Sequence, residues 1–172
     1  MMETVAFYRE TIIKTYGFNE RTGLNLYQTV MPINGREVRT ADLLQRICRG
    51  ERGVLLLLVR PLSEQRMAFS LLWEPKAGEE RGWERLGVGI EVLPWRVEKE
   101  VELVYFQGPH YGDRFGIACA ALEAVLGEGI PLLAAACIGA TVFLVLPQGM
   151  GAAARRSLAR FFTVPEYQGK TS

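Results

Sequence analysis

The sequence has few of the residues that most often build a reactive centre. It contains one histidine, His110, and three cysteines, Cys48, Cys119 and Cys137, with no C-x-x-C spacing. An odd, scattered set of cysteines argues against a disulfide framework and against a zinc site, so we expect three buried free thiols. No serine–histidine–aspartate order, nucleophile elbow or redox cysteine pair is present. We therefore expect no catalytic residue, no metal and no cofactor.

A strong charge excess and a membrane segment are also lacking. Twenty basic residues nearly balance nineteen acidic ones, for a formal net charge of +1, which argues against nucleic acid and anionic membranes as partners. The arginines at 155, 156 and 160 are expected to form a solvated helix face. The first nine residues have no apolar signal region, and the apolar run over 129–147 is broken by proline and glycine. These features predict a cytoplasmic protein with no membrane span.

Two segments of the chain share one predicted order of elements. Residues 24–94 and 101–165 each read strand, loop, helix, strand, strand, helix, strand. Met31-Pro32 in the first copy corresponds to Gly108-Pro109 in the second. This α+β order, βαββαβ, is the ferredoxin-like plan of an antiparallel sheet with both helices on one face. Because open sheet edges need cover, we expect two tandem ferredoxin-like modules that pair side by side.

The predicted boundaries follow from these patterns. We divide the chain into an N-terminal extension (1–23, with an added strand or short helix), a first module (24–97), a second module (98–166) and a tail (167–172). The first module is predicted to have strands over 24–31, 54–60, 67–73 and 88–93 and helices over 41–49 and 80–86. The second is predicted to have strands over 101–106, 132–137, 141–146 and 163–166 and helices over 116–126 and 152–162. The last helix is expected to bury Leu158, Phe161 and Phe162. The tryptophans Trp73, Trp83 and Trp95 are expected to pack in a core or between modules rather than to form a ligand cage.

The second module resembles an ACT domain. The resemblance rests on Gly108-Pro109 after the first strand, Asp113-Arg114-Phe115-Gly116-Ile117 at the start of the helix, Gly129-Ile130 at its end and Cys137-Ile138-Gly139-Ala140-Thr141 between the middle strands. The arrangement is similar to the regulatory region of aspartate kinases, which carries two ACT modules in tandem. The first module matches only in element order and spacing, since Thr40 or Ala41 stands where the second has Gly116. The resemblance includes no kinase domain and implies no kinase activity.

The resemblance implies a non-catalytic regulatory protein that binds an amino acid or related small metabolite where ACT modules pair. It also implies a homodimer and a partner enzyme of amino-acid metabolism. A loop that leads into a helix offers free N–H groups and the positive end of the helix dipole to a carboxylate, and Asp113 would receive the ammonium group. The ligand-binding residues that follow are Gly108, Pro109, His110, Gly112, Asp113, Arg114, Phe115, Gly116, Ile117, Cys137, Ile138 and Gly139.

Simpler explanations exist for the same residues, and two other functions remain open. The glycines permit a turn, Asp113 caps a helix, Arg114 faces solvent, and His110 is a loop residue without a chemical role. One alternative is a structural or oligomerisation module of the same fold that binds no ligand. The other is a phosphate-handling enzyme such as an acylphosphatase, in which Arg114 would clamp a phosphate in the loop between the first strand and the first helix.

Overall fold

The computed structural model describes residues 13–32, 45, 53–75, 95–112 and 114–164. The predicted helix over 80–86 and the strand over 88–93 lie outside the described residues, as do Cys48, Trp83 and Asp113. Of the helix predicted over 41–49, only Gln45 is described, and it is helical. The chain forms two compact units: the terminal unit, Met1–Arg21 with Glu102–Ser172, and the middle unit, Thr22–Val101. Residues 13–21, from the segment predicted to be an N-terminal extension, belong to the terminal unit.

The described elements are eight strands and two helices. In chain order they are β1 (Ile13–Lys14), β2 (Phe18–Pro32), β3 (Val54–Ser63), β4 (Arg66–Trp73), β5 (Arg96–Gln107), α1 (Ile117–Leu126), β6 (Ala134–Ile138), β7 (Thr141–Leu146), α2 (Gly151–Leu158) and β8 (Phe162–Thr163). The strands predicted over 54–60, 67–73 and 141–146 and the helix over 116–126 are all present. β2 and β5 each begin in one unit and end in the other.

The middle unit is built on three antiparallel strands. β4 pairs with β3 on one side and with β2 on the other, and Leu71 lies opposite Leu57 and Tyr27. Because side chains alternate along a strand, residues two apart share a face. One such face forms an apolar core of Tyr27, Met31, Phe69, Leu71 and Trp73, against which Val54, Leu57, Met67 and Trp95 pack. Trp73 is buried as predicted, and Trp95 is half-buried.

The terminal unit places β7 between β5 and β6, again with antiparallel pairing. The helices α1 and α2 contact each other, and the Ser157 hydroxyl donates a hydrogen bond to the carbonyl of Ala124 in the buried part of this contact. The alanines of α1 leave room for this approach. The core of the unit consists of Val104, Phe106, Tyr111, Ile117, Ala121, Ala124, Val125, Ile130, Val142, Leu144, Leu146, Ala154, Leu158 and Phe162.

A buried carboxylate holds the amino end of α2. Glu102 on β5 is 7% exposed and accepts N–H groups from Gly149 (2.8 Å) and Gly151 (2.5 Å). These donors have no partner inside the helix, since the first turn of any helix leaves its N–H groups unpaired. Glu20 lies beside the same turn and forms an ion pair with Arg155 at 2.9 Å. Two strands thus fix where α2 begins.

The last predicted helix is shorter than expected. α2 ends at Leu158, and the amides of Arg160 and Phe161 bond three residues back, to Ser157 and Leu158, which tightens the final turn. This turn points Phe161 outward, where it is 44% exposed, so the expectation that it is buried is wrong. Phe162 is buried in β8 rather than in the helix.

Two further predictions concern the surface. Cys119 and Cys137 are free, but both are exposed, so the expected burial of their thiols is wrong. The cause is position: Cys119 lies outside the buried positions of α1, and Cys137 lies on β6, which among the described strands has one hydrogen-bonded neighbour, β7. The arginines at 155, 156 and 160 are exposed as predicted. Within the described residues, no helix is long and apolar enough to cross a membrane.

Candidate functional site

Strand register brings the two predicted ligand-binding segments to one end of the terminal unit. Gln107, the last residue of β5, lies opposite Thr141, the first residue of β7, and Thr141 lies opposite Ile138, the last residue of β6. The loop that follows β5 and the turn between β6 and β7 therefore leave the sheet at the same end. With neighbouring strands about 4.8 Å apart, the two segments start about 10 Å from each other.

At the base of the loop that follows β5, other residues of the chain fill the space around the backbone. Gly108 is buried between the Lys14 carbonyl and the ring of Tyr111, and a methyl group on Gly108 would overlap both. Glycine is required here because two parts of the chain approach its α-carbon. The sequence alone associated this glycine with a ligand; in the structure its neighbours are Lys14 and Tyr111.

Tyr111 anchors the loop in the core. Its ring is 4% exposed and packs against Phe106 and Phe162, with ring centroids 6.1 and 6.3 Å away. Its hydroxyl is buried and has no hydrogen-bond partner among the described residues. Burial raises the pKa of Tyr111, while the nearby Thr15 hydroxyl and the positive charge of Arg114 act in the opposite direction.

The tip of the loop is open to solvent. His110 is exposed and adopts a left-handed backbone with φ of 61°. Gly112 is exposed and has open space where a side chain would project. Arg114 is half-buried, whereas Phe115 is 97% exposed. The loop therefore exposes His110 and the ring of Phe115 within one short stretch of backbone, with Arg114 half-buried between them in sequence.

The amino end of α1 has no side-chain cap among the described residues. Gly116 occupies the capping position with φ of 89°, and its carbonyl accepts the Ala120 N–H at 2.9 Å. Ile117 is 2% exposed, so its side chain belongs to the core and only its backbone faces the loop. An uncapped helix start leaves N–H groups for an anion such as a carboxylate.

The second segment is exposed. Cys137, Ile138 and Gly139 all face solvent, and Gly139 has φ of 57°, which suits the tight turn into β7. Pro109 is half-buried beside the loop base. Within the described stretches of chain, no three His, Cys, Asp or Glu side chains lie close enough together to hold a metal ion.

Sequence reasoning missed the residues that support the loop from below. Lys14 and Thr15 lie far from the loop in sequence, and Tyr111 lies inside the predicted segment but is not one of the predicted ligand-binding residues. The available signal is the β-branched and aromatic character of the N-terminal segment, which is compatible with an added strand or a short helix and does not indicate its neighbour.

Comparison with known proteins shows which solved structures share this fold. No protein-family model matches the sequence, and no curated protein matches it. Among solved structures, it is similar to the regulatory subunit of aspartate kinase from Thermus thermophilus in its ligand-free form, with a TM-score of 0.67, 16% identity and coverage of 86% of this chain and 99% of that one.

Two whole enzymes show the same likeness. Aspartate kinase from Clostridium acetobutylicum has a TM-score of 0.68 at 12% identity over 91% of this chain, and E. coli aspartokinase III in complex with lysine and aspartate has 0.57 at 14% over 89%. The chain covers 36% and 34% of those two proteins. The resemblance to aspartate kinase regulatory regions is thus confirmed at the level of fold.

Proposed function

We propose that this chain is a regulatory ACT-type protein that binds an amino acid or related small metabolite, with the loop 108–117 as the principal binding segment. The observation that carries the proposal is the start of α1, which no described side chain caps and which lies at the same end of the terminal unit as the turn at 138–140. The fold shared with aspartate kinase regulatory subunits supports a regulatory role. A solved relative of this fold, E. coli aspartokinase III, is in complex with lysine and aspartate.

The chemistry of the segment suits a zwitterion. The N–H groups at the start of α1 would receive the carboxylate, and the charge of Arg114 adds to the positive end of the helix. Asp113 is proposed to receive the ammonium group. The segment 137–139, which leads into the turn at 138–140, is proposed to contribute backbone groups from a neighbouring module. The complete site would then need paired modules and, in our proposal, a homodimer.

Regulation requires that the ligand distinguish two states of the protein. A ligand with equal affinity for both arrangements of the modules would shift nothing, however tightly it bound. We therefore propose that occupancy favours one pairing of modules and that a partner enzyme of amino-acid metabolism responds to that pairing.

A thermal-shift screen against the twenty amino acids tests the proposal. A ligand at 100 times its dissociation constant stabilises the folded state by about 2.7 kcal/mol, which raises Tm by several degrees. Gly112→Leu is the informative variant, because its side chain enters open space in the loop without backbone strain. Ala159→Leu, at an exposed position after α2, is the matched control.

The outcomes are distinct. A selective shift that Gly112→Leu abolishes and Ala159→Leu retains supports ligand binding at the loop. A shift that both variants retain places the ligand elsewhere. No shift with any amino acid, together with a stable dimer in sedimentation, favours the structural module that binds no ligand, whereas turnover of an acyl phosphate that Arg114→Ala abolishes favours the enzyme.

A further inference from the structure

We propose that residues 13–16, here called the N-terminal clasp, hold the loop 108–116 in place, so that release of the clasp and movement of the loop are coupled. The inference rests on the proposed function, because it makes the clasp the element through which an occupied loop affects the rest of the chain. The coupling itself is a property of the protein without ligand and is tested without one.

Hydrogen bonds join the clasp to the ends of two strands. The Thr15 N–H donates to the Thr163 carbonyl of β8 at 2.9 Å. The Gln107 carbonyl, at the end of β5, accepts both the Tyr16 N–H at 2.9 Å and the Thr15 hydroxyl at 2.8 Å. Thr15 is fully buried although it is polar. Two adjacent residues, Thr15 and Tyr16, thus fix the point at which the loop leaves the sheet.

Packing joins the clasp to the loop itself. The Lys14 carbonyl lies against Gly108 on the side that the Tyr111 ring also contacts. Phe162 of β8 contacts both Phe106 and Tyr111, with ring centroids 4.8 and 6.3 Å away. The clasp, β8, the end of β5 and the loop therefore form a closed ring of contacts, in which no member moves without disturbing the next.

The coupling is measured as the effect that opening of the clasp has on the loop. The strand part of the clasp is short, since β1 has two residues and, among the described strands, pairs with β8 alone. Short elements with few contacts open at a lower free energy than the core. If the clasp opens, Gly108 and Tyr111 lose the contact with the Lys14 carbonyl. The loop that leads to the start of α1 is then no longer held in position. By linkage, a ligand that orders the loop would strengthen the clasp by the same factor.

Hydrogen exchange on the ligand-free full chain tests this with residue resolution. The reporters are the amides of Tyr16 in the clasp and Ala120 in the first turn of α1, and the reference is Leu133, whose amide bonds to Val145 across the β6–β7 side of the sheet. Thr15→Val removes the hydroxyl, and with it the short bond to the Gln107 carbonyl and the longer bonds with the Gly17 backbone, and keeps the shape of the side chain. We expect protection of Tyr16 and Ala120 to fall together by about fivefold to tenfold, while Leu133 is unchanged.

Two matched variants complete the experiment. Thr15→Ser keeps the hydroxyl and is expected to restore most of the protection at Ala120, which a loss of packing alone would not do. Thr141→Val makes the same chemical change at the start of β7 and is expected to leave all three amides as they were.

Other results overturn the coupling. A fall at Tyr16 without one at Ala120 means that the clasp opens independently of the loop. An equal fall at all three amides means that Thr15 contributes to global stability only. Neither result depends on an amino acid binding, so failure here is separate from failure of the thermal-shift screen.

Discussion

The ring of Tyr111 lies directly over the α-carbon of Gly108, with the Lys14 carbonyl beside it, and leaves no space for a side chain. Gly108→Ala must therefore displace either a buried ring or the backbone of the N-terminal clasp. We expect this variant to lose at least about 2 kcal/mol of unfolding free energy, at the upper end of overpacking effects, because one of the two neighbours is backbone. Urea denaturation measures the loss.

Gly112 provides the control for that substitution. It lies in the same loop with open space around its α-carbon and without a left-handed backbone, so Gly112→Ala is expected to change the unfolding free energy by less than about 0.5 kcal/mol. Equal losses in the two variants would mean that the loop as a whole, rather than contact with Tyr111 and Lys14, is sensitive to substitution.

The bonds between Glu102 and the amino end of α2 are another contact that no local sequence pattern predicts. Glu102→Ala leaves the Gly149 and Gly151 amides without their acceptor in a buried place, and we expect a loss of about 3 kcal/mol in urea denaturation. Glu98→Ala on the same strand removes an exposed ion pair with Arg96 and is expected to cost less than about 0.5 kcal/mol. Similar losses in both would argue against the cap.

Local pattern was sufficient for much of the fold. The strands over 54–60, 67–73 and 141–146 are runs or alternations of apolar residues bounded by turn residues, and such signals depend only on near neighbours. The helix at 116–126 was equally visible, because its apolar positions recur at helical spacing after a glycine. These elements would be recognised in any protein that contained the same segments.

The errors come from contacts between distant residues. For the segment that contains β1 the sequence left a strand or a short helix open, because the pairing of Ile13 with Phe162 lies outside any local window. Because Phe162 is buried in the core as part of β8, α2 ends at Leu158, before its predicted end, and Phe161 points outward. At the candidate site, a glycine that admits a ligand and a glycine that admits a neighbouring ring look the same in sequence, so the role of Gly108 required the position of Tyr111.

Backbone strain at Glu100 gives a prediction of opposite sign. This residue has φ of 55° within β5, close to the point where the strand passes from the middle to the terminal unit, and its N–H donates to the Asn25 side chain at 3.4 Å. A non-glycine residue in this conformation costs about 1 kcal/mol or more. We therefore expect Glu100→Gly to stabilise the protein by up to about 1 kcal/mol.

Lys99, the residue before Glu100, provides a control for the glycine substitution. Lys99 has no left-handed backbone, so Lys99→Gly gains nothing in the folded state and is expected to destabilise by about 1 kcal/mol because the unfolded chain becomes more flexible. Thermal denaturation of both variants distinguishes strain from a general effect of glycine. A loss in Glu100→Gly as large as that in Lys99→Gly would show that the strain is not expressed in stability.

Tyr111 gives a prediction about alkaline pH. Its pKa is raised above the ordinary value of 10.0, chiefly by burial, so the folded state disfavours the phenolate that the unfolded state tolerates. Below pH 10 the tyrosine is neutral in both states, and its contribution is fully present. As the pH rises above 10, the unfolded state loses its proton first, and stability falls until the folded-state pKa is passed.

Tyr111→Phe removes this titration and the buried hydroxyl that has no hydrogen-bond partner among the described residues. We expect the variant to be at least as stable as the wild type at pH 8, because an unpaired buried hydroxyl costs about 1–3 kcal/mol, and to lose less stability between pH 9 and 11. Tyr27→Phe allows the loss of stability between pH 9 and 11 to be compared at a second tyrosine. Burial raises the pKa of Tyr27 too, whereas the Asn25 side chain opposes that shift. A Tyr111→Phe protein that is clearly less stable at pH 8 would show that the hydroxyl bonds to Thr15 in solution, and the N-terminal clasp would then include that bond.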